Sequence, residues 1–177
     1  FAAQEFESNY YVTTTVRVDI NYNIQTQLDS DLEKIAKKLT LKDGLLHVQF
    51  LLQDNKAKII EVTRRIPGDL FHTLIDLSDG NEYSKAVLSC YLGNSSDLVD
   101  LLRISKKEYY LRYCVVSKEN CIFNNLHIDK RVEVLHQTDI YESGEKIKKG
   151  DLSNIIIIKY TKDILENLEK LIYIEGL

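Results

Sequence analysis

The chain has 177 residues, of which 44% are hydrophobic and 28% are charged, with one Pro and seven Gly. These proportions are ordinary for a folded globular protein and exclude a disordered, collagen-like or disulfide-scaffold chain. The 23 basic and 27 acidic side chains give a net charge of −4, so no overall positive field attracts nucleic acid or anionic lipid. The isoleucine run at residues 155–158 is far shorter than the ~20 residues of a membrane-spanning helix. We predict neither a nucleic-acid partner nor a membrane partner.

The cysteines Cys90, Cys114 and Cys121 are odd in number and form no C-x-x-C spacing. This pattern favours reduced, buried thiols and a cytoplasmic location. A disulfide between Cys114 and Cys121 is the less favoured alternative. Because the chain begins at Phe1 and contains no methionine, we expect it to be a fragment of a longer protein.

The chain opens with a strand pattern and then a helix pattern. Alternation of β-branched and aromatic residues predicts a strand at about residues 10–19. Apolar residues at helical spacing predict a helix at about residues 30–39, begun by a capping box of Ser30 and Glu33.

A hairpin is predicted next. Its β segments, at residues 45–53 and 57–65, are separated by the polar loop 54–56, in which Asn55 tolerates a positive φ. After the break at Pro67-Gly68 the apolar spacing becomes helical. We predict a helix that begins near Leu70 and ends at Asp79-Gly80, and two more at about residues 82–92 and 97–102.

The second half is richer in strand patterns, which we predict at about residues 108–116, 131–137 and 154–160. Thr161 is predicted to cap a final helix. The apolar stripe of that helix is Ile164, Leu165, Leu168, Leu171 and Ile172. The fold class is therefore α+β. A predicted seam near residue 105 separates a domain of residues 1–105 from a small α/β lobe of residues 106–177.

The hairpin carries the strongest candidate site. Strand alternation places Glu61, Thr63 and Arg65 on one face, and His47 and Gln49 form the matching polar face of the partner strand. A loop with an odd number of residues, such as 54–56, would put Gln49 opposite Glu61.

The residue types of this patch suit magnesium and phosphate. Hard cations take oxygen ligands, and a guanidinium can donate two hydrogen bonds to phosphate oxygens. Spacing alone, however, favours the solvent-facing side of an antiparallel sheet.

The hairpin resembles the C-terminal part of the ATP-grasp superfamily, above all its carbamoyl-phosphate-synthase-like and amino-acid-ligase branch. The resemblance rests on the sequence at residues 44–50, 59–68 and 77–80. It implies that Glu61 is a metal ligand, that Thr63 stands where the family has Asn, and that Arg65 meets the transferred phosphate. Gln49 stands where the family has its first acid, and Gln49 and Thr63 would be the other metal ligands, each through a neutral oxygen. A site with one carboxylate instead of two neutralises less charge, which weakens magnesium binding.

The resemblance implies an antiparallel sheet with helices on one side, followed by a small β-rich lobe. It also implies an ATP-dependent and Mg²⁺-dependent ligase that joins a small carboxylate to an amine through an acyl phosphate. The nucleotide-binding lysines of such enzymes lie in an N-terminal lobe that this chain lacks, so we expect the fragment alone to be inactive. The alternative function is a noncatalytic interaction module that keeps the hairpin as a scaffold.

Other residues are assigned structural roles. We interpret His72 as a helix-surface histidine, Asp69 as a charge or cap at a helix start, and Arg64 as pointing away from Arg65 toward a structural acid. Asp69 could instead meet the ammonium group of a substrate. His72 could instead touch the substrate, and the loop after Arg64 could still turn that side chain inward. The tyrosine pairs at residues 10–11 and 109–110 are interpreted as half-buried strand residues rather than as a surface for single-stranded nucleic acid.

Overall fold

The computed structural model describes residues 2–5, 12–94, 98–105 and 107–176. The chain forms two compact units. The first spans residues 18–106, and the second combines residues 2–17 with residues 107–177. In the described part of the chain, no helix is long and apolar enough to cross a membrane.

The strands pair in antiparallel fashion, and helices and strands occur in separate runs along the chain, which confirms the α+β class. The strands are β1 (Ala2–Glu5), β2 (Thr14–Arg17), β3 (His47–Gln53), β4 (Lys56–Thr63), β5 (Tyr110–Val116), β6 (Cys121–Ile128), β7 (Glu133–Asp139), β8 (Lys146–Ile147), β9 (Leu152–Lys159) and β10 (Ile172–Gly176). The helices are α1 (Tyr22–Lys38), α2 (Phe71–Asp79), α3 (Tyr83–Tyr91), α4 (Leu98–Leu101), α5 (Lys162–Glu166) and α6 (Leu168–Leu171).

Helix α1 begins earlier than the sequence predicts. Its N-cap is Asn21, whose side-chain oxygen accepts a hydrogen bond of 2.8 Å from the backbone N–H of Asn23. The buried residues Ile24 and Leu28 both lie in this earlier part of the helix. The predicted start at Ser30 is wrong, because the same capping-box pattern also occurs on the exposed face of a helix that is already formed.

Helix α2 ends at Asp79, as predicted. Gly80 follows it with a φ of 61°, and the backbone N–H of Gly80 donates to the carbonyl of Asp76 at 2.9 Å. Glycine adopts this left-handed conformation without steric cost. The Asp76 carboxylate then holds the start of α3, accepting hydrogen bonds from the backbone N–H of Tyr83 at 2.7 Å and from the hydroxyl of Ser84 at 3.4 Å.

The second unit is built on a five-stranded antiparallel sheet in the order β1-β2-β5-β9-β7. Strand β9, which lies between β5 and β7, contains residues 155–158, all of which are buried. Because both faces of β9 are covered, the strand is a continuous apolar run rather than an alternating one. The pairing of β2 with β5, which brings residues 14–16 into this unit, was not predicted from the sequence.

The sequence did not predict four of the strands, which are β1, β6, β8 and β10. Strand β6 has Asn124 and Asn125 at its centre, and β8 has two residues. Thr161 does cap α5, since its hydroxyl accepts a 3.3 Å hydrogen bond from the Ile164 backbone N–H. The predicted final helix is nevertheless wrong beyond Glu166, because it is interrupted at Asn167 and Ile172 already belongs to β10.

All three cysteines are free thiols, as predicted, but only Cys114 is buried, whereas Cys90 and Cys121 are half-buried. Residues 10 and 11 of the first predicted strand, and the start of the predicted helix at residue 97, lie outside the described residues. The assignment of residues 1–105 and 106–177 to two functional domains stays a prediction.

A charged loop joins β6 to β7. Asp129 accepts hydrogen bonds from the Arg131 side chain at 2.8 Å and 3.1 Å, and a further one from the Arg131 backbone N–H at 2.9 Å. These bonds favour the ionised carboxylate and lower the pKa of Asp129 to about 2, from an ordinary value of 3.8.

We expect Arg131→Ala to return the pKa of Asp129 toward its ordinary value, because the side-chain hydrogen bonds are its largest cause. The folded-state pKa lies below the unfolded-state value, so the stabilisation is present above pH 3.8 and is lost as the pH falls toward 2. A ¹³C NMR titration of the carboxyl group measures the shift, with Lys130→Ala as the neighbouring control. An unchanged pKa of Asp129 in Arg131→Ala would contradict the assignment.

Candidate functional site

The hairpin of β3 and β4 carries the candidate site, and its turn is shorter than predicted. Gln53 pairs with Lys56, so that only Asp54 and Asn55 lie between the strands. Their φ angles of 52° and 57° are typical of a type I′ turn. The positive φ predicted for Asn55 is confirmed, and the predicted three-residue loop is wrong.

A β-bulge at Ile60 compensates for the shorter turn. Gln49 pairs with Glu61 and Phe50 pairs with Ile59, which leaves Ile60 without a partner in β3. One extra residue in a strand shifts the alternation of its side chains by one position. The predicted pairing of Gln49 with Glu61 is therefore confirmed, although a two-residue turn without the bulge would have placed them out of register.

The bulge gives the two ends of β4 opposite environments. Between the turn and Ile60, Ala57 and Ile59 pack with Ile24 and Leu28 of α1. In a regular strand every second residue shares a face, so Glu61 would lie on the same side as Ala57 and Ile59 and would face the helix. Because the bulge intervenes, Glu61 is instead exposed.

Four polar side chains share the face that points away from α1, and we call them the hairpin quartet. His47 pairs with Thr63 just as Gln49 pairs with Glu61. Residues two apart on one strand share a face with their direct cross-strand partners. His47, Gln49 and Thr63 are half-buried, whereas Glu61 is exposed.

Arg64 and Arg65 follow β4 and have different surroundings. Arg65 is exposed and lies close enough to His47 to affect the pKa of that residue. Arg64 instead donates hydrogen bonds from Nη1 to the Lys42 carbonyl at 2.9 Å and from Nη2 to the Asp43 carbonyl at 3.2 Å. Arg64 thus has a structural role, as predicted, but its partners are carbonyl oxygens rather than an acid.

Two neighbouring residues, Gly44 and Tyr91, fit the side chain and the backbone of Arg64. Gly44 has a φ of 143°, and a Cβ at this position would lie 2.5 Å from Arg64 Nη2, so glycine leaves the room that the guanidinium needs. From α3, the hydroxyl of Tyr91 donates a hydrogen bond to the carbonyl oxygen of Arg64. The residues on either side, Thr63 and Arg65, are therefore held by a backbone that is tied to two other elements.

His47 is the member of the quartet to which sequence reasoning assigned no role. Its ring makes an edge-on contact with the ring of Phe71, with centroids 5.7 Å apart. Burial lowers the pKa of His47, while the nearby carboxylates of Asp69 and Glu61 oppose that shift. The parity of His47 with Gln49 was visible in the sequence, but its proximity to Asp69 and Phe71 depends on how the chain turns after β4.

That turn has an unusual backbone conformation. Leu70 precedes α2 with a φ of 59° and makes no side-chain capping bond, a strained state for a residue other than glycine. Leu70, and not Asp69, is thus the N-cap of α2. The next turn contains His72, whose Nδ1 is buried and has no hydrogen-bond partner among the described residues, so His72 is not the simple surface histidine that was predicted.

The quartet offers oxygen donors of the type that Mg²⁺ prefers. Glu61 supplies a carboxylate, Gln49 an amide oxygen and Thr63 a hydroxyl, and all three are hard ligands. Among the residues that the structure describes, no group of three acidic, histidine or cysteine side chains forms a metal cluster. The donor types therefore fit magnesium, while a single carboxylate leaves most of its charge to be neutralised by another ligand.

Comparison with solved structures identifies the fold. The chain is similar to phosphoribosylglycinamide synthetase from Anaerococcus prevotii, with a TM-score of 0.78 and 18% identity over 99% of this chain and 49% of that chain. It is also similar to an L-amino acid ligase from Bacillus licheniformis, with a TM-score of 0.75 and 18% identity over 95% of this chain and 45% of that chain. A biotin carboxylase domain of a single-chain bacterial carboxylase matches with a TM-score of 0.65 and 13% identity, over 96% of this chain and 43% of that chain.

These neighbours are ATP-grasp ligases, and the predicted resemblance to that fold is confirmed. At such low identities the likeness is one of fold. The chain spans about half the length of the proteins that it matches. No protein-family model and no curated protein matches the sequence.

The bulge can be tested by deleting one isoleucine of the Ile59-Ile60 pair. Ile60 is 61% exposed, and without it β4 becomes a regular strand whose faces keep their composition. We expect the variant to fold with a melting temperature within ~4 °C of wild type and to keep the contact between Gln49 and Glu61 in NMR spectra.

The matched control is deletion of Leu51, which is equally exposed at 61% but lies in the strand without a bulge. That deletion should put the hairpin out of register and destabilise the protein. Loss of the Gln49–Glu61 contact on deletion of the isoleucine would overturn the assignment of the bulge.

Proposed function

We propose that this chain is the C-terminal part of an ATP-dependent and Mg²⁺-dependent ligase that forms an acyl-phosphate intermediate. The enzyme would be a carboxylate–amine ligase or a carbamoyl-phosphate-synthase-like enzyme. The observation that carries the proposal is the pairing of Gln49 with Glu61 on one face of the hairpin, with Arg65 two residues beyond the end of β4. It is supported by the fold shared with ligases of this type.

Each site residue has a proposed role. Glu61, Gln49 and Thr63 would hold magnesium through oxygen atoms, and Arg65 would bind the transferred phosphate through its guanidinium. When bound, Mg²⁺ would offset negative charge on the phosphoryl oxygens. Because the site has one carboxylate, ATP itself would bring part of the coordination shell.

The resemblance to carboxylate–amine ligases implies a reaction in two steps. An oxygen of the substrate carboxylate attacks the γ-phosphorus of ATP, the bond to the β-phosphate oxygen breaks, and ADP leaves. A neutral amine then attacks the carbonyl carbon of the acyl phosphate, phosphate leaves, and the proton of the amine passes to solvent. Arg65 would stabilise phosphate oxygens in both steps, since it can donate two hydrogen bonds to them.

The remaining parts of the proposal concern the rest of the molecule. The nucleotide-binding lysines and phosphate-covering loop would belong to an N-terminal lobe outside this chain, consistent with a match to about half of each neighbour. Residues 1–105 would form the ATP-grasp subdomain and residues 106–177 a small accessory lobe. Three free cysteines support a cytoplasmic location.

A noncatalytic interaction module is the second candidate function. The observation in its favour is Gln49, a neutral side chain paired with Glu61 where a second carboxylate would strengthen metal binding. Such a module would keep the hairpin for its shape and would not turn over ATP.

The 177-residue chain alone should show neither ATP hydrolysis nor tight nucleotide binding, because a single lobe cannot exclude water from the phosphates. Isothermal titration calorimetry with Mg²⁺ and ATP measures this. Micromolar affinity of the chain by itself would contradict the requirement for a second lobe.

In the full-length protein, Glu61→Ala should reduce ligation to near background, since it removes the single carboxylate of the quartet. Product formation from ATP, a carboxylate and an amine is the measurement. The control is Glu33→Ala, which removes an exposed carboxylate on α1 that pairs with Lys37 and should leave the rate within about twofold.

Gln49→Glu should retain activity and lower the magnesium concentration required for half-maximal rate by about tenfold to a hundredfold, the usual range for a charge-assisted contact. The control is Gln53→Glu, which adds the same charge to the same strand four positions away, beside Lys58. Equal shifts in both variants would show a general charge effect instead of a second metal ligand.

The two candidate functions predict different outcomes for the full-length protein. The interaction module replaces the ligase if two results are found together. None of the tested pairs of carboxylate and amine supports ATP turnover, and Glu61→Ala leaves the affinities for ATP and for protein partners unchanged. Loss of turnover in Glu61→Ala alone supports the ligase.

A further inference from the structure

The second unit contains a cavity of about 480 Å³ between β6 and the end of β7. Its floor includes the buried side chains of Phe123 and Leu126, and its rim includes Asn124, Asn125, Gln137 and Asp139. None of these residues belongs to the hairpin quartet, and all of them lie in the second unit.

A second β-bulge shapes the cavity. Strand β10 pairs Glu175 with Asn125 and then Gly176 with Phe123, which leaves Asn124 without a partner in β10. The bulge lies at two successive amide side chains, Asn124 and Asn125. Both are exposed, and both line the cavity. Bulges commonly re-aim side chains next to binding sites.

The wall opposite β6 is held by the turn that follows β7. Phe123 is joined to this turn through two backbone hydrogen bonds of 2.8 Å, one to the Glu145 carbonyl and one from the Gly144 N–H. Tyr141 donates from its hydroxyl to Asp151 at 3.0 Å. These hydrogen bonds hold the turn against β6 and so define the shape of the cavity.

The carboxylate of Asp139, on the rim, is oriented by a hydrogen bond from a buried polar residue of the core. Asp139 Oδ1 accepts hydrogen bonds from Gln137 Nε2 at 2.7 Å and from Asn154 Nδ2 at 2.6 Å. Asn154 is fully buried beside the isoleucines of β9, and its Oδ1 has no hydrogen-bond partner in the described part of the chain. Burying an amide with an unsatisfied oxygen is unfavourable, so this position is better explained by its bond to Asp139 than by packing.

The charges of the lining define the ligand. Asp139 and Glu142 supply two carboxylates, and no Lys, Arg or His is among the residues that line the cavity. The amides of Asn124, Asn125 and Gln137 can both donate and accept hydrogen bonds. We propose that this cavity binds a small organic ammonium ion rich in hydroxyl groups, of the amino-sugar or amino-alcohol class.

The ammonium group binds between Asp139 and Glu142, and the hydroxyl groups bind the amides over the apolar floor. A ligand with a carboxylate is disfavoured by the same two acids. The site lies in the unit that does not carry the hairpin, so its occupation adds a binding function to the proposed activity.

The test uses the 177-residue chain, ¹⁵N-labelled and titrated with glucosamine hydrochloride or with glucose, which lacks the amino group. Glucosamine should shift the side-chain amide signals of Asn124, Asn125 and Gln137 with millimolar half-saturation, and glucose should bind about tenfold more weakly. Sodium chloride at equal concentration controls for ionic strength. Equal responses to glucosamine and glucose, or shifts confined to other residues, would overturn the proposal.

Variants locate the binding. Asp139→Asn should weaken glucosamine about tenfold, whereas Glu133→Gln, an exposed acid at the other end of β7, should not change it. Because Asp139 contacts buried Asn154, its variant is first checked for an unchanged melting temperature. Glu142→Gln, on an exposed turn, tests the same claim without touching the core, and unchanged binding in Glu142→Gln would refute the proposal even if Asp139→Asn failed to fold.

Discussion

The β-bulge at Ile60 is the constraint on which the first unit depends. One strand must cover α1 with apolar side chains over its first half and present Glu61 and Thr63 on the opposite side over its second half. A regular strand cannot do this with an odd-numbered series of residues, because its side chains alternate strictly. The bulge reverses the alternation at the cost of one unpaired residue, and the two-residue turn at Asp54-Asn55 becomes compatible with the pairing of Gln49 and Glu61.

The elements around the hairpin reinforce this arrangement from outside the strands. Arg64 is tied to the Lys42 and Asp43 carbonyls through its side chain, and to Tyr91 through its backbone. Residues far apart in sequence thus fix the backbone between Thr63 and Arg65. Polar side chains held by such a backbone lose less freedom on binding a ligand, which favours affinity. The strained φ of Leu70 lies on the same connection and is typical of a position whose conformation is set by its surroundings.

Elements that are determined by residues within a few positions of one another were mostly predicted correctly from the sequence. The turn residues Asp79-Gly80 and the cap at Thr161 follow from side-chain chemistry within a few residues. The quartet was visible for the same reason, although the pairing of Gln49 with Glu61 was derived from a wrong loop length that the unseen bulge corrected. Features that depend on distant partners were missed. Nothing near residue 172 indicates that the apolar stripe leaves α6 to pair with β6, and the contact of His47 with Phe71 requires the path of the chain after Pro67.

The fully covered strand β9 has a consequence for how the protein behaves when it is not folded. Residues 155–158 are four consecutive isoleucines, and in the native sheet they are shielded by β5 on one edge and β7 on the other. In an unfolded or partly synthesised chain the same segment is a short, uncharged stretch of high β-propensity without proline, the type that pairs with copies of itself. Both native neighbours precede the run in sequence, and the run stays unprotected until it has paired with β5 and β7. We therefore expect aggregation to compete with refolding when this unit is unfolded by heat, in which case its resistance to heat depends on the rate of unfolding.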